Sequence, residues 1–368
     1  MFTKTRGRPE EVGETSRLLT QWLLSDDVQM RTGPETGGVF GWFEDSSPKR
    51  FLYPEVTGYY LTFLAFLGQQ GRRRDAFQQY AQLAADWLDR RCAGETPAAA
   101  RVYMHGDESS DWRCGFSFSF DLAMIWRGIT LSRELLDSSS FHRVLAAVNR
   151  HLSQFASPGD GLRASIPVVA CSSGESWASR SGAFQTKCAA ALLYSGTEAP
   201  ETVRTNAETT IAEFCNWSPD GFQPELLHHD LYFVEGLLMA GVAGQNETYL
   251  RHTATVLHSL ANAHRSWLWD ERSSFVRSDV LAQILRAGCL LRSTGYLPGE
   301  PWNELLPRLA GTLSGYCGTG GAMYFRRRSA GKLEHINIWS GLFAAQALLW
   351  YRQWEESALS LDSAGWLI

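Results

Sequence analysis

Two kinds of helix alternate along this chain, and that alternation limits the fold more than any single motif does. The pattern recurs at spacings of roughly 45 to 65 residues. One kind is amphipathic. In SSSFHRVLAAVNRHLSQFA (138–156), Phe141, Val144, Leu145, Val148, Leu152 and Phe155 follow a helical stripe, while Arg143, Asn149 and Arg150 lie off it. RDAFQQYAQLAADWLDR (74–90) behaves likewise through Phe77, Tyr80, Ala84, Trp87 and Leu88, and further members cover 15–24, 201–215, 247–263 and 301–313. The other kind is apolar almost all round, the mark of a helix buried on every side. These segments are 55–67, 118–131, 182–194, 228–240, 278–291 and 336–351. Each holds a glycine (Gly58, Gly128, Gly182, Gly236, Gly288, Gly341), which costs about 1 kcal/mol against alanine inside a helix and points to closely approaching backbones. Six outer helices around six inner ones predict an all-α, (α/α)6 toroid, a six-hairpin barrel spanning residues 1–368 as a single domain.

Composition narrows the function classes. With 44% hydrophobic residues, 14 Trp, 12 Tyr and 19 Phe, the chain has material for a large core. A net charge of −5 with no basic block leaves no footprint for nucleic acid. The first residues lack the apolar centre of a secretory signal and no run reaches the roughly 20 apolar residues of a membrane span, so a cytoplasmic protein is expected. Seven scattered cysteines, without a CxxC pair, predict neither a disulfide framework nor a zinc site, and no cofactor is expected.

The links from outer to inner helices are long and rich in Gly, Trp, Ser and Asp, as in VYMHGDESSDWRCGFS and CSSGESWASR. Long loops in a compact domain tend to carry function, and these are expected on one rim, where inner helices begin. RFLYPEVTGYYLTFLAFL (50–67) sets the type: Pro54 suits a first helical position, and Glu55 follows it as the one acid in an apolar run. Collecting the polar groups at such starts gives Tyr53 and Glu55; His105, Asp107, Asp111 and Asp121; Trp177, Arg180 and Gln185; Glu225, His228, His229 and Asp230; Arg277, Asp279 and Gln283; and His335, Asn337 and Trp339. Capping and dipole pairing account for acids at helix starts equally well, so each residue has a structural role to set against a functional one.

With this alternation and these loops the sequence resembles the six-hairpin, α/α-toroid group of carbohydrate-active proteins: glycoside hydrolases, polysaccharide lyases and N-acylglucosamine 2-epimerase-like enzymes. YPEVTGYYLTFL and HINIWSGLFAAQALLWY also look like toroid proteins associated with bacterial polysaccharide biosynthesis. The resemblance implies a carbohydrate substrate and a cleft at the rim.

Glycosidic cleavage needs a proton donor for the leaving oxygen and a second carboxylate. Glu55, Asp121 and Asp230 are the candidates, because burial in an apolar helix start raises a carboxyl pKa. Helix-dipole pairing, or salt bridges to Arg127, Arg180 or Arg277, is the structural alternative. HHDL at His228 resembles a histidine–aspartate segment of unsaturated glucuronyl hydrolases, although it falls in the fourth hairpin and Tyr232 stands where a glycine is expected.

The 2-epimerase branch places one catalytic histidine on the fourth inner helix and another near the start of the sixth, which His228 or His229 and His335 match. Neither His228 nor His229 has an acid three residues later, as that branch would require. A histidine pair could shuttle a proton at a carbon beside a carbonyl. Trp42, Tyr53, Trp112, Trp177, Trp267 and Trp339 are candidates for stacking on sugar faces. Arg180 and Arg277 are candidates for a substrate carboxylate, and Gln185 and Asn337 are further candidates for binding the substrate. An isoprenoid-type cyclase and a non-catalytic glycan-binding protein are further alternatives, the former without its DxDD segment.

Overall fold

Tyr53 shows how an inner helix starts. The residue before a proline is driven out of the helical region, and Tyr53 is extended at φ −124°, ψ 111°, after which Pro54 opens α2 (Pro54–Gln69). The strand Phe51–Leu52, paired antiparallel with Val102–Tyr103, leads into this turn. The computed structural model describes residues 9–44, 50–71, 75–98, 100–104, 111–168, 176–221, 223–268, 276–326 and 335–368.

Among them, twelve helices follow the alternation of the sequence. They are α1 (Pro9–Leu23), α2, α3 (Asp75–Cys92), α4 (Ser119–Leu131), α5 (Ser138–Leu152), α6 (Gln185–Tyr194), α7 (Glu201–Phe214), α8 (Leu227–Ala243), α9 (Glu247–Leu268), α10 (Ser278–Ser293), α11 (Gly299–Ser314) and α12 (Ile338–Glu355). Among the described residues no helix is long and apolar enough to cross a membrane.

The described residues form two compact units. One takes those within 26–42 and 47–215. There α2, α4 and α6 stand side by side, with α3 packed on α2, α5 on α4 and α7 on α6. Residues 54–67 of α2 are buried on every side, as the all-apolar pattern requires. The other unit takes the described residues within 1–25, 43–46 and 216–368. Its inner row is α8, α10 and α12, with α9 on α8, α11 on α10 and α1 on α12.

Helix boundaries depart from the sequence reading where extended chain intervenes. Phe118 ends a strand, Phe116–Phe118, which pairs antiparallel with Ser165–Pro167, and His335–Asn337 is likewise extended before α12. Aromatic and β-branched residues at these positions favour a pleated, half-buried strand. The extended entries aim the first turns of α4 and α12.

Candidate active site

Two polar clusters lie at inner-helix starts, one in each unit. In the first, Glu55 of α2 and Asp121 of α4 are electrostatically coupled carboxyls. Glu55 is buried, and burial raises its pKa against four opposing influences: hydrogen bonds from the Tyr53 and Tyr59 hydroxyls, and the charges of Lys187 and Arg101. Asp121 is pushed up further, first by burial and then by the charge of Glu55, with Arg101 and Arg113 opposing. Its Oδ2 is buried without a hydrogen-bond partner among the described residues. Two adjacent carboxyls in a dry site resist ionising together. The arrangement therefore favours Glu55 as the anion, held by two phenols, and Asp121 as the proton carrier.

Burial and the charges of Asp121 and Glu55 keep the Tyr53 phenol protonated, far above its ordinary pKa. Lys187, fully buried in the first turn of α6, places its ammonium 5.2 Å from the Tyr59 ring centroid. Arg101 lies among the rings of Trp42 (4.4 Å), Phe51 (4.7 Å) and Tyr53 (5.9 Å) and is ion-paired to Asp111. Asp111 also accepts from the Tyr103 hydroxyl at 2.9 Å and from the Arg113 amide at 3.1 Å, and its pKa is lowered: burial acts upward, but Arg101 and these donors outweigh it.

The remaining candidates of this unit divide by exposure. Trp112 packs edge-on against Phe116 at 5.8 Å and Phe118 at 6.3 Å, a wall rather than an open platform. Trp177 is 39% exposed, on a short turn closed by reciprocal Ser176 and Ser179 bonds, its ring edge-to-face with Phe184 at a centroid separation of 5.0 Å. Arg180 is exposed beside it. Gln185 is buried with its amide committed to the backbone: Oε1 accepts from Gly182 N at 3.1 Å and Nε2 donates to Leu162 O at 2.7 Å. Each end of its amide thus ties the start of α6 to the main chain. Arg127 bonds Ser195.

In the second cluster, His228 of α8 meets the first turn of α10. Its Nδ1 lies 2.7 Å from Gln283 Oε1 and 3.2 Å from Asp279 Oδ2. Asp279 is fully buried and grips Arg277 through bonds of 3.0 and 2.5 Å, while Trp339 Nε1 donates to it at 3.4 Å. Burial alone would raise the Asp279 pKa; Arg277, His228 and Trp339 bring it down to about 2. Burial brings His228 down to about 4, against the pull of Asp279. Asp279 of α10 is thus the carboxylate in contact with His228.

His335 stacks 4.7 Å from the Phe325 ring, over which Arg277 lies at 4.6 Å; burial, with Arg326 and Arg277, lowers its pKa to about 4, and Asp279 opposes. Main-chain bonds Ser278 N to Phe325 O (3.0 Å) and Phe325 N to His335 O (2.8 Å) tie the starts of α10 and α12 to the segment around Phe325. Asn337 caps α12 by accepting from Ser340 N at 3.0 Å and is fully buried, so its carbonyl end is structural.

His229 and Asp230 turn to a different side of α8, as residues 100° apart on a helix must. They pair at 2.8 Å, with the His229 ring 6.5 Å from Trp217. Asp230 therefore lies outside the Asp279 cluster.

The sequence reading passed over Tyr59, Arg101, Lys187, Glu235 and Arg286. Lys187, Glu235 and Arg286 carried a signal: Lys187 is the lone charge of its apolar helix segment, and Glu235 and Arg286 are charges set in the apolar middle of theirs. His105 and Asp107, and the side chain of Trp267, lie outside the described residues. Among those described, no group of three His, Cys, Asp or Glu side chains could hold a metal ion.

No protein-family model and no curated protein matches the chain. Solved structures do, over nearly its whole length. An unsaturated glucuronyl hydrolase specific for heparin aligns over 96% of this chain and 98% of its own at 12% identity, with a TM-score of 0.65. A cellobiose 2-epimerase from Spirochaeta thermophila aligns over 95% and 98% at 13% identity and 0.64. A sugar epimerase from a ruminal bacterium aligns over 92% and 98% at 11% identity and 0.67. The fold is the all-α (α/α)6 toroid, the class that the helix alternation predicts.

Proposed function

We propose that this protein is a carbohydrate-active enzyme that transfers protons through the Glu55–Asp121 pair while cleaving a bond in an oligosaccharide or glycan precursor. The observation carrying this reading is a pair of adjacent carboxyls at neighbouring helix starts, Glu55 bonded by two phenols and Asp121 with a buried Oδ2 that has no hydrogen-bond partner among the described residues. Partial burial beside the Glu55 charge pushes the Asp121 pKa up, which favours its protonated form; Glu55 is held by Tyr53 and Tyr59. In hydrolysis Asp121 protonates the leaving glycosidic oxygen as its bond to the anomeric carbon breaks, and Glu55 takes a proton from the attacking water or attacks that carbon itself. Matches to a glucuronyl hydrolase and to sugar epimerases support a sugar substrate at the level of fold. Matches running over 92–96% of the chain support reading residues 1–368 as one domain.

The test is release of new reducing ends from an oligosaccharide panel, including uronate-containing members. Glu55→Gln and Asp121→Asn should each lower the rate by about two to four orders of magnitude. Undiminished release by both variants would remove the pair from the chemistry. Variants that also retain biological activity would point to the non-catalytic glycan-binding alternative.

A second reading, sugar epimerisation, is favoured by the contact of His228 with Asp279 and Gln283 in the cluster that also neighbours His335. It predicts deuterium uptake from D2O beside the carbonyl of a reducing sugar with no new ends, abolished by His228→Gln.

A further inference from the structure

Beneath His228, the contact with Gln283 continues into a chain of buried polar side chains to which neither reading of the reaction assigns a role. Gln283 Nε2 donates to Glu235 Oε2 at 3.4 Å. Glu235 is bound by Arg286, whose Nε donates to Oε1 at 2.7 Å. Arg286 is anchored in turn, Nη1 to Gln346 Oε1 at 3.1 Å and Nη2 to the main-chain oxygen of Ile368 at 2.8 Å, with its guanidinium 4.0 Å from the Phe343 ring centroid. Glu235, Gln283, Arg286 and Gln346 are all fully buried. An ion pair withdrawn from water is costly to build, and specifying one arrangement of neighbouring groups is a recognised use for it.

Here the arrangement specified is a proton position. An ionised Glu235 only accepts, so the NH2 end of the Gln283 amide must face it. The carbonyl end is then left for His228 Nδ1, and a carbonyl oxygen also only accepts. Asp279 Oδ2, the other neighbour of Nδ1, is a second acceptor. Nδ1 must therefore carry the proton, and in the neutral ring Nε2 holds the lone pair. No hydrogen-bond partner for Nε2 exists among the described residues.

We infer that Glu235 and Gln283 are positioning residues that lock His228 in its Nδ1–H tautomer and so preform Nε2 as a proton acceptor. This deepens the histidine reading and rests on it for its catalytic meaning, but the tautomer itself can be observed without a substrate. A ring that had to change tautomer before each proton abstraction would lose this preorganisation.

The experiment is long-range proton–nitrogen correlation NMR of the full chain labelled in its histidine rings, at neutral pH, with His228 assigned by its loss in His228→Gln. The expected wild-type pattern is a neutral Nδ1–H ring with no detectable Nε2–H form. In Gln283→Met, an Nε2–H population should appear. Gln283→Glu, sharing one proton with Glu235, should restore the single tautomer. A wild-type His228 that is Nε2–H or doubly protonated overturns the inference, even where a variant fails to fold, and so does an unchanged tautomer in folded Gln283→Met. If the wild-type and variant patterns are as expected but His228→Gln keeps full deuterium uptake, the histidine reading fails while the positioning chain stands.

Discussion

A β-carbon placed on Gly128 would stand 2.3 Å from the carbonyl oxygen of Gly58, and one on Gly58 would stand 2.6 Å from Met124 O. The two glycines let α2 and α4 meet backbone to backbone, which sets the spacing at which Glu55 and Asp121 interact. Gly288 is different: its β-carbon would meet the side chains of Trp302 and Leu306.

Because backbone cannot yield as a flexible side chain can, Gly128→Ala should destabilise the protein by about 1–3 kcal/mol or more. Urea unfolding followed by circular dichroism measures this. A wild-type midpoint would show that the helices part without cost.

Asp121 has a folded pKa raised above its unfolded value, so the folded state binds more protons across that interval. Its stabilisation is complete below the ordinary carboxylate range and is lost as pH rises toward the folded value. Asp121→Asn should therefore raise the urea midpoint at neutral pH, with the advantage shrinking at acid pH. An equal or lower midpoint at pH 7 contradicts a proton-holding Asp121.

Tyr59→Phe removes one of the two phenolic donors that favour ionised Glu55. The Glu55 pKa should then rise, carrying the acidic limb of the activity profile to higher pH while the maximal rate changes little. A stationary limb would mean that Glu55 does not act as the anion.

Arg277→Ala would leave the fully buried Asp279 without its two-pronged partner, which should cost about 3–5 kcal/mol at neutral pH. Asp279 titrates at about 2 when folded, below its unfolded value near ~3.9, so its contribution is present above that value and fades as pH falls through about 2. The gap between variant and wild type, read from denaturation curves, should narrow with acidification. A gap independent of pH would assign the loss to packing.

Trp177→Ala should leave stability within about 0.5 kcal/mol, as expected for an exposed side chain. If Trp177 stacks on a sugar, KM should rise about tenfold, equivalent to about 1.4 kcal/mol. Unchanged KM would restrict Trp177 to covering Phe184.

The amino-acid order alone determined the alternation of helices, because the breadth of an apolar stripe reports how many sides of a helix are buried. It also placed Glu55 and Asp121 at the starts of two inner helices, since an acid beside the first apolar residues of such a run falls in its first turn. The partners of those groups were decided only by tertiary structure. Asp279 lies 51 residues from the histidine it contacts, and Arg286 an equal distance from Glu235. Such pairs depend on the rotation of each helix about its axis, which side-chain packing sets. The same rotation sent His228 toward α10 and its neighbours His229 and Asp230 to another face. Gln185 and Asn337 were legible as polar groups at helix starts, but whether their amides served a ligand or the backbone depended on which carbonyl and N–H groups the folded chain brought within reach.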